Sequence, residues 1–168
     1  MIPRTLVAGV GNLLRGDDGF GVAVAERLAC SPLPVGVTVV ETGIAGIALV
    51  QELQRGWDGL VVVDAVDRGR APGTVMVIEP EVLDVATMTW EQRNDLTADM
   101  HLATPDRVLL LARALGALPA WVRIVGCQPN DAKSIGEGLS AEVSAAVGVA
   151  SAEVLRLLEA RVTVAADR

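Results

Sequence analysis

Two adjacent carboxylates, Asp17 and Asp18, stand inside the segment GVGNLLRGDDGFG that runs from Gly9 to Gly21. A third acid, Asp64, closes the apolar run Leu60-Val61-Val62-Val63, and His101 is the only histidine of the 168-residue chain. Asp18, Asp64 and His101 would form a mixed oxygen and nitrogen donor set with positions left open for water or a substrate atom. Such a set suits zinc, nickel or a similar first-row divalent ion without choosing between them. The same carboxylates could instead share a proton and activate water with no metal. A plainer reading competes for each acid. An acid at a helix start gains from the macrodipole, and that is the reading taken for Asp17. An acid ending a buried strand must find a partner or reach water, so Asp64 stands out.

The elements around these residues can be read from the apolar periodicity. Thr5 to Val10 reads as a first strand, followed by a glycine turn and a helix from near Asp18 to about Cys30. Val37 to Val40 is a second strand that leads to Glu41, a turn over Gly43 to Gly46, and a helix from Ile47 to Arg55. Leu60 to Val63 is a fully apolar third strand ending at Asp64. Thr74 to Ile78 follows the Arg70-Ala71-Pro72-Gly73 turn too soon for a helical crossover, which predicts an antiparallel edge strand. Glu81 to Asp99 is irregular. Thr104 can cap the next helix, with Pro105 in its first turn and Gly116 as its stop. Trp121 to Gly126 is the last strand. Ser140 caps a final helix, with a frayed tail expected from Val162.

Alternating units of this kind predict one α/β domain over residues 1–168, a three-layer α/β/α sandwich around a mostly parallel twisted sheet of about five strands. Ligands of such sheets bind beyond the carboxyl ends of the strands. Asp18, Glu41, Asp64 and Gln128 should therefore share one edge. The helix after His101 precedes a strand, so its start should face that edge too.

Composition removes several function classes. A formal charge of −7 disfavours nucleic acid and anionic membrane as partners. No basic segment precedes an apolar run, and no stretch of about 18 apolar residues occurs, so neither a signal peptide nor a spanning helix is expected. The two cysteines, Cys30 and Cys127, lack metal-site spacing. Both are expected to be small buried residues of a cytoplasmic protein. Gly9-Val10-Gly11 lacks the third glycine of a dinucleotide loop, since Leu14 stands there, and no Gly-Lys-Ser/Thr makes a phosphate loop. No Ser-His-Asp or Cys-His order suggests a covalent nucleophile; Ser134 and Ser140 have no evident histidine partner. No organic cofactor is expected.

Taken together, the motifs resemble those of the hydrogenase maturation endopeptidases. GVGNLLRGDDGFG resembles the N-terminal signature of that family, ETGIAG (Glu41–Gly46) its glycine-rich second turn, and VVVDAVD (Val61–Asp67) its third-strand motif. VGCQP (Val125–Pro129) with GLS (Gly138–Ser140) resembles the C-terminal signature. His101 stands before a helix, as the family's histidine does. The likeness covers about Thr5 to Leu158. It implies a phosphorylase/hydrolase-like fold and an aspartic-type endopeptidase that removes a C-terminal extension from a [NiFe]-hydrogenase large-subunit precursor. It further implies that Asp18, Asp64 and His101 are the catalytic residues. They would contact nickel already seated in the precursor, so that the metal arrives with the substrate. Glu41, Gly43 and Gln128 would then bind substrate, with the 81–99 segment as a cover, in a monomeric enzyme. Asp18 stands where the family often has Glu, and ETG where it often has Asp-Gly-Gly. Two other readings stay open at this point. A peptidyl-tRNA hydrolase also opens on a strand and a Gly-x-Gly-Asn turn, but here Leu13-Leu14 follows Asn12. A nickel-precursor binding or chaperone module would use the same ligands without cutting.

Overall fold

The computed structural model describes residues 2–44, 46–91 and 104–166. Five strands form one sheet: β1 (Thr5–Val10), β2 (Val37–Gly43), β3 (Gly59–Ala65), β4 (Val75–Ile78) and β5 (Trp121–Cys127). Their order is β2-β1-β3-β5-β4. The first four in that order run parallel, and β4 pairs antiparallel with β5 at the edge, Val75 opposite Cys127. The short Arg70–Gly73 connection leaves no room for a crossover, which is why β4 turns back as the sequence predicts.

Among the described residues, the helices that cover the sheet are α1 (Phe20–Ala29), α2 (Gly46–Leu53), α3 (Pro105–Ala114) and α4 (Ala141–Ala166). Alternation along the strands divides the core into two layers. Leu6, Ala8, Leu60, Val62, Val122 and Ile124 meet Leu49, Leu53 and Leu109 of α2 and α3. Val7, Val61, Val63 and Val125 meet Phe20, Val24, Leu28, Val143 and Val154 of α1 and α4. The expected α/β/α sandwich is thus present. The valine run of β3 is buried on both faces because helices cover both.

Several local expectations change. The first helix is preceded by a separate 3-10 turn, Gly16–Gly19, which carries both acids. The last helix continues to Ala166 instead of fraying from Val162. Thr104 occupies the N-cap of α3, but its side chain makes no capping hydrogen bond; its carbonyl accepts from the Arg107 and Val108 amides. Cys127 is buried, whereas Cys30 is exposed at the end of α1, where the helix leaves the sheet. Among the described residues no helix is long and apolar enough to cross a membrane.

Candidate active site

Strand order fixes where a site can lie. The chain leaves β1 through α1 toward β2 on one side, and β3 feeds β4 and β5 on the other. The carboxyl ends of β1 and β3 therefore flank the point where the connections diverge, the crevice that open α/β sheets use for ligands. Asp18 follows β1 and Asp64 lies in the last turn of register of β3, opposite Gly126 of β5.

Close backbone packing brings the two acids together. Gly11 has φ 143°, and a Cβ there would overlap the carbonyl oxygen of Asp18. A Cβ on Gly21 would overlap the carbonyl oxygens of Val10 and Val63. Glycine at these positions lets the start of α1 sit directly on the ends of β1 and β3. The Asn12 amide then donates to Asp18 Oδ2 at 3.0 Å, while Asn12 Oδ1 accepts from the Leu14 amide at 2.9 Å. Asn12 thus closes an Asx turn and steadies the acid at once.

Asp64 is 7 % exposed, and its Oδ1 accepts from the Ala65 amide at 2.8 Å. Burial first, and the charge of Asp18 second, push its carboxyl up to about 8. Burial also raises Asp18, against the pull of the Asn12 amide and the Arg15 cation. Two partly desolvated carboxyls that repel each other favour a shared proton or a cation between them. Among the described residues, hydrogen bonds engage only Oδ2 of Asp18 and Oδ1 of Asp64. By the alternation of β3, Asp64 shares the sheet face of Leu60 and Val62, which α2 and α3 cover. Helix α3 leads into the start of β5, so its Pro105 end lies toward the carboxyl edge. His101, four residues earlier in sequence, lies outside the described residues, as do residues 92–99 of the 81–99 segment assigned as a cover.

The other sequence candidates have distinct places. Glu41 pairs across from Gly9 in register and is exposed near the same edge. Gly43 has φ 54°, its carbonyl accepts from the Gly11 amide at 3.1 Å, and open space lies where a side chain would be. Gln128 is 5 % exposed and turned inward. Its Oε1 accepts from the Arg68 and Arg70 amides, and its Nε2 donates to Asp67 Oδ1 and the Pro129 carbonyl. With both ends of the amide engaged, Gln128 clasps the loop after β3 instead of presenting itself to a substrate.

Asp17 departs furthest from its sequence reading. It is 1 % exposed, and it serves as a tether instead of a helix-end charge. Its Oδ2 accepts from the Asn130 amide at 2.8 Å, the Asp131 amide at 3.1 Å and the Ser140 hydroxyl at 3.0 Å; its Oδ1 accepts from the Ser140 amide at 2.6 Å. Burial raises its carboxyl, but these donors outweigh it and hold the group below the usual carboxylate range. The Ser140 hydroxyl, expected to cap α4, is used on Asp17. Asp17 therefore locks the turn carrying Asp18 to the loop between β5 and α4. An acid beside a glycine turn and a Gly-x-Ser before a distant helix were the only sequence traces of this tether.

A three-layer α/β fold with paired, partly buried carboxyls at its switch point defines a hydrolase-type acid site. The sequence profile of the hydrogenase maturation proteases matches residues 22–157. The hydrogenase expression/formation protein HoxM of Azotobacter vinelandii is 37% identical over 167 residues, covering 99% of this chain and 77% of that protein. HupD of Rhizobium leguminosarum bv. viciae is 35% identical over 157 residues, covering 93% and 74%. Among solved structures, the hydrogenase maturating endopeptidase HybD of E. coli superposes with a TM-score of 0.74 at 30% identity, covering 94% of this chain and 93% of that one. A hydrogenase 2 maturation peptidase from Thaumarchaeota archaeon SCGC_AB-539-E09 gives a TM-score of 0.65 at 33% identity, covering 92% and 97%. The chain belongs to the hydrogenase maturation protease family and is a peptidase.

Proposed function

We propose that this peptidase removes a C-terminal extension from the precursor of a [NiFe]-hydrogenase large subunit, and that Asp18 and Asp64 act on a precursor already carrying nickel. The observation that carries the reading is the pairing of the two carboxyls at the switch point, where burial raises both and the charge of Asp18 raises Asp64 further. A divalent ion presented by the substrate would reverse that repulsion and would displace the proton of Asp64. His101 is the nitrogen donor we assign to the same ion.

Nickel is then part of what the site recognises. Docking of the metal would fix the scissile peptide beside the carboxyls, exchanging a bimolecular search for local geometry. A carboxylate of the pair that accepts a proton from the attacking water can then pass that proton to the leaving amine. Glu41 and the open space over Gly43 flank the path by which the extension reaches the crevice.

Processing of a nickel-loaded precursor by wild type, Asp18→Ala and Asp64→Asn tests the assignment. Wild type should shorten the precursor. Both variants should fold and leave the precursor intact. Normal processing by both variants would remove the acid pair from the reaction.

A further inference from the structure

Three large aliphatic side chains stand exposed on the loops that frame Asp18: Leu13 at 53 %, Leu14 at 60 % and Ile135 at 92 %. They share one rigid backbone frame. The Gly136 amide donates to the Leu14 carbonyl at 3.1 Å, and the Gly16 amide donates to the Gly136 carbonyl at 2.8 Å. Arg15 and Gly136 form a parallel bridge between the same two segments. Asp17 bolts the far side of the frame through Asn130, Asp131 and Ser140. Beside it lies a depression of about 200 Å³ to which Gly16, Asp131 and Ile135 contribute walls.

Single exposed aliphatics are ordinary, and scattered ones need no explanation. Here they are grouped on two segments that backbone hydrogen bonds hold side by side. A grouped apolar surface on a fixed frame marks a contact site. The same frame is continuous with the acid pair, because Asn12 links the Leu14 amide to Asp18 Oδ2. The turn that presents Leu13 and Leu14 is the same turn that carries Asp18, so the two leucines stand next to whatever binds that acid.

We infer that Leu13, Leu14 and Ile135 form a docking ridge for the folded body of the substrate protein, meeting an apolar surface next to the segment that enters the Asp18–Asp64 crevice. This inference rests on the proposed processing of a protein precursor. The ridge would select a folded protein over a free peptide of the same terminal sequence, since a short peptide has no body to place on it.

Steady-state processing of the nickel-loaded precursor by wild type, Ile135→Asp and Leu14→Ser tests the ridge. Val35→Asp is the control; Val35 is 74 % exposed beside Gly36, whose carbonyl accepts from the Thr5 amide at the opposite end of β1. Loss of one buried aliphatic contact predicts a rise in KM of about tenfold for Ile135→Asp, with kcat within about twofold of wild type. The Val35→Asp enzyme should match wild type in both constants. An unchanged KM in both ridge variants overturns the inference while leaving the proposed function standing. So does sedimentation showing that the ridge joins two copies of this chain and that Ile135→Asp separates them. A wild type that cleaves no cognate precursor withdraws the proposed function and the ridge with it.

Discussion

Replacing Asp64 by Asn should make the protein more stable at neutral pH while abolishing its activity. Asp64 ends a strand buried by helices on both faces, and its carboxyl is pushed up to about 8 by burial and by Asp18. In an unfolded chain it would titrate near the ordinary value of about 3.9. Between those values the folded protein keeps a proton that the unfolded chain has released. Stability is therefore greatest below about pH 4, falls by ~1.4 kcal/mol per pH unit as pH rises toward about 8, and is level above it. Summed to pH 7, the cost reaches ~4 kcal/mol. Asn has nearly the same shape, can accept the Ala65 amide through its own Oδ1, and does not ionise in this range. Denaturant unfolding of wild type and Asp64→Asn across about pH 4 to about pH 8 measures the difference, in which titration of other groups largely cancels. The variant should be close to wild type at about pH 4 and should gain up to ~4 kcal/mol by about pH 7. A difference that stays constant across that range would refute the claim that Asp64 is neutral in the folded protein.

Four further outcomes follow from the same geometry. Asp18→Asn removes the neighbouring charge that helps raise Asp64, so the carboxyl resonance of Asp64 should titrate at lower pH in that variant; an unchanged titration would sever the two acids. Asp17→Ala leaves three part-buried amides and the Ser140 hydroxyl without their acceptor and should cost about 2 kcal/mol or more in chemical denaturation; a loss under ~1 kcal/mol would contradict the tether. Because its donors hold Asp17 below the ordinary carboxylate range, its contribution is present above about pH 4 and is lost as pH falls below that, visible as a steeper acid transition in wild type than in the alanine variant. Gly21→Ala places a Cβ against the Val10 and Val63 carbonyls and should lower both the melting temperature and processing; an alanine variant with wild-type melting would mean that α1 does not rest on the strand ends as described.

Much of this site was visible before any coordinates, because its chemistry sits at the ends of locally encoded elements. The valines before Asp64 could only be a buried strand, and the glycines around Asp18 could only be a tight turn into a helix. Alternation of strand and helix then placed both acids on one edge, where the structure has them. The antiparallel β4 was legible for an equally local reason, a four-residue turn too short to cross the sheet. What local pattern cannot carry is pairing across long separations. Asp17 finds its donors more than 110 residues away, so from its neighbours alone it looked like a helix-end charge. Gln128 lies just past the strand end as expected, but its partners in the 67–70 loop decide that its amide turns inward. Ser140 was placed correctly before α4, while the use of its hydroxyl depended on Asp17. Cys30 was expected to be buried by residue type; its position at the end of α1 exposes it.

The most direct test of the account is the intact mass of a cognate hydrogenase large-subunit precursor incubated with this protein, nickel-loaded in one sample and nickel-free in the other. Loss of a C-terminal peptide from the nickel-loaded precursor alone is the predicted result. An unchanged mass in the nickel-loaded sample would contradict the processing function, and equal cleavage of both samples would contradict recognition through the metal.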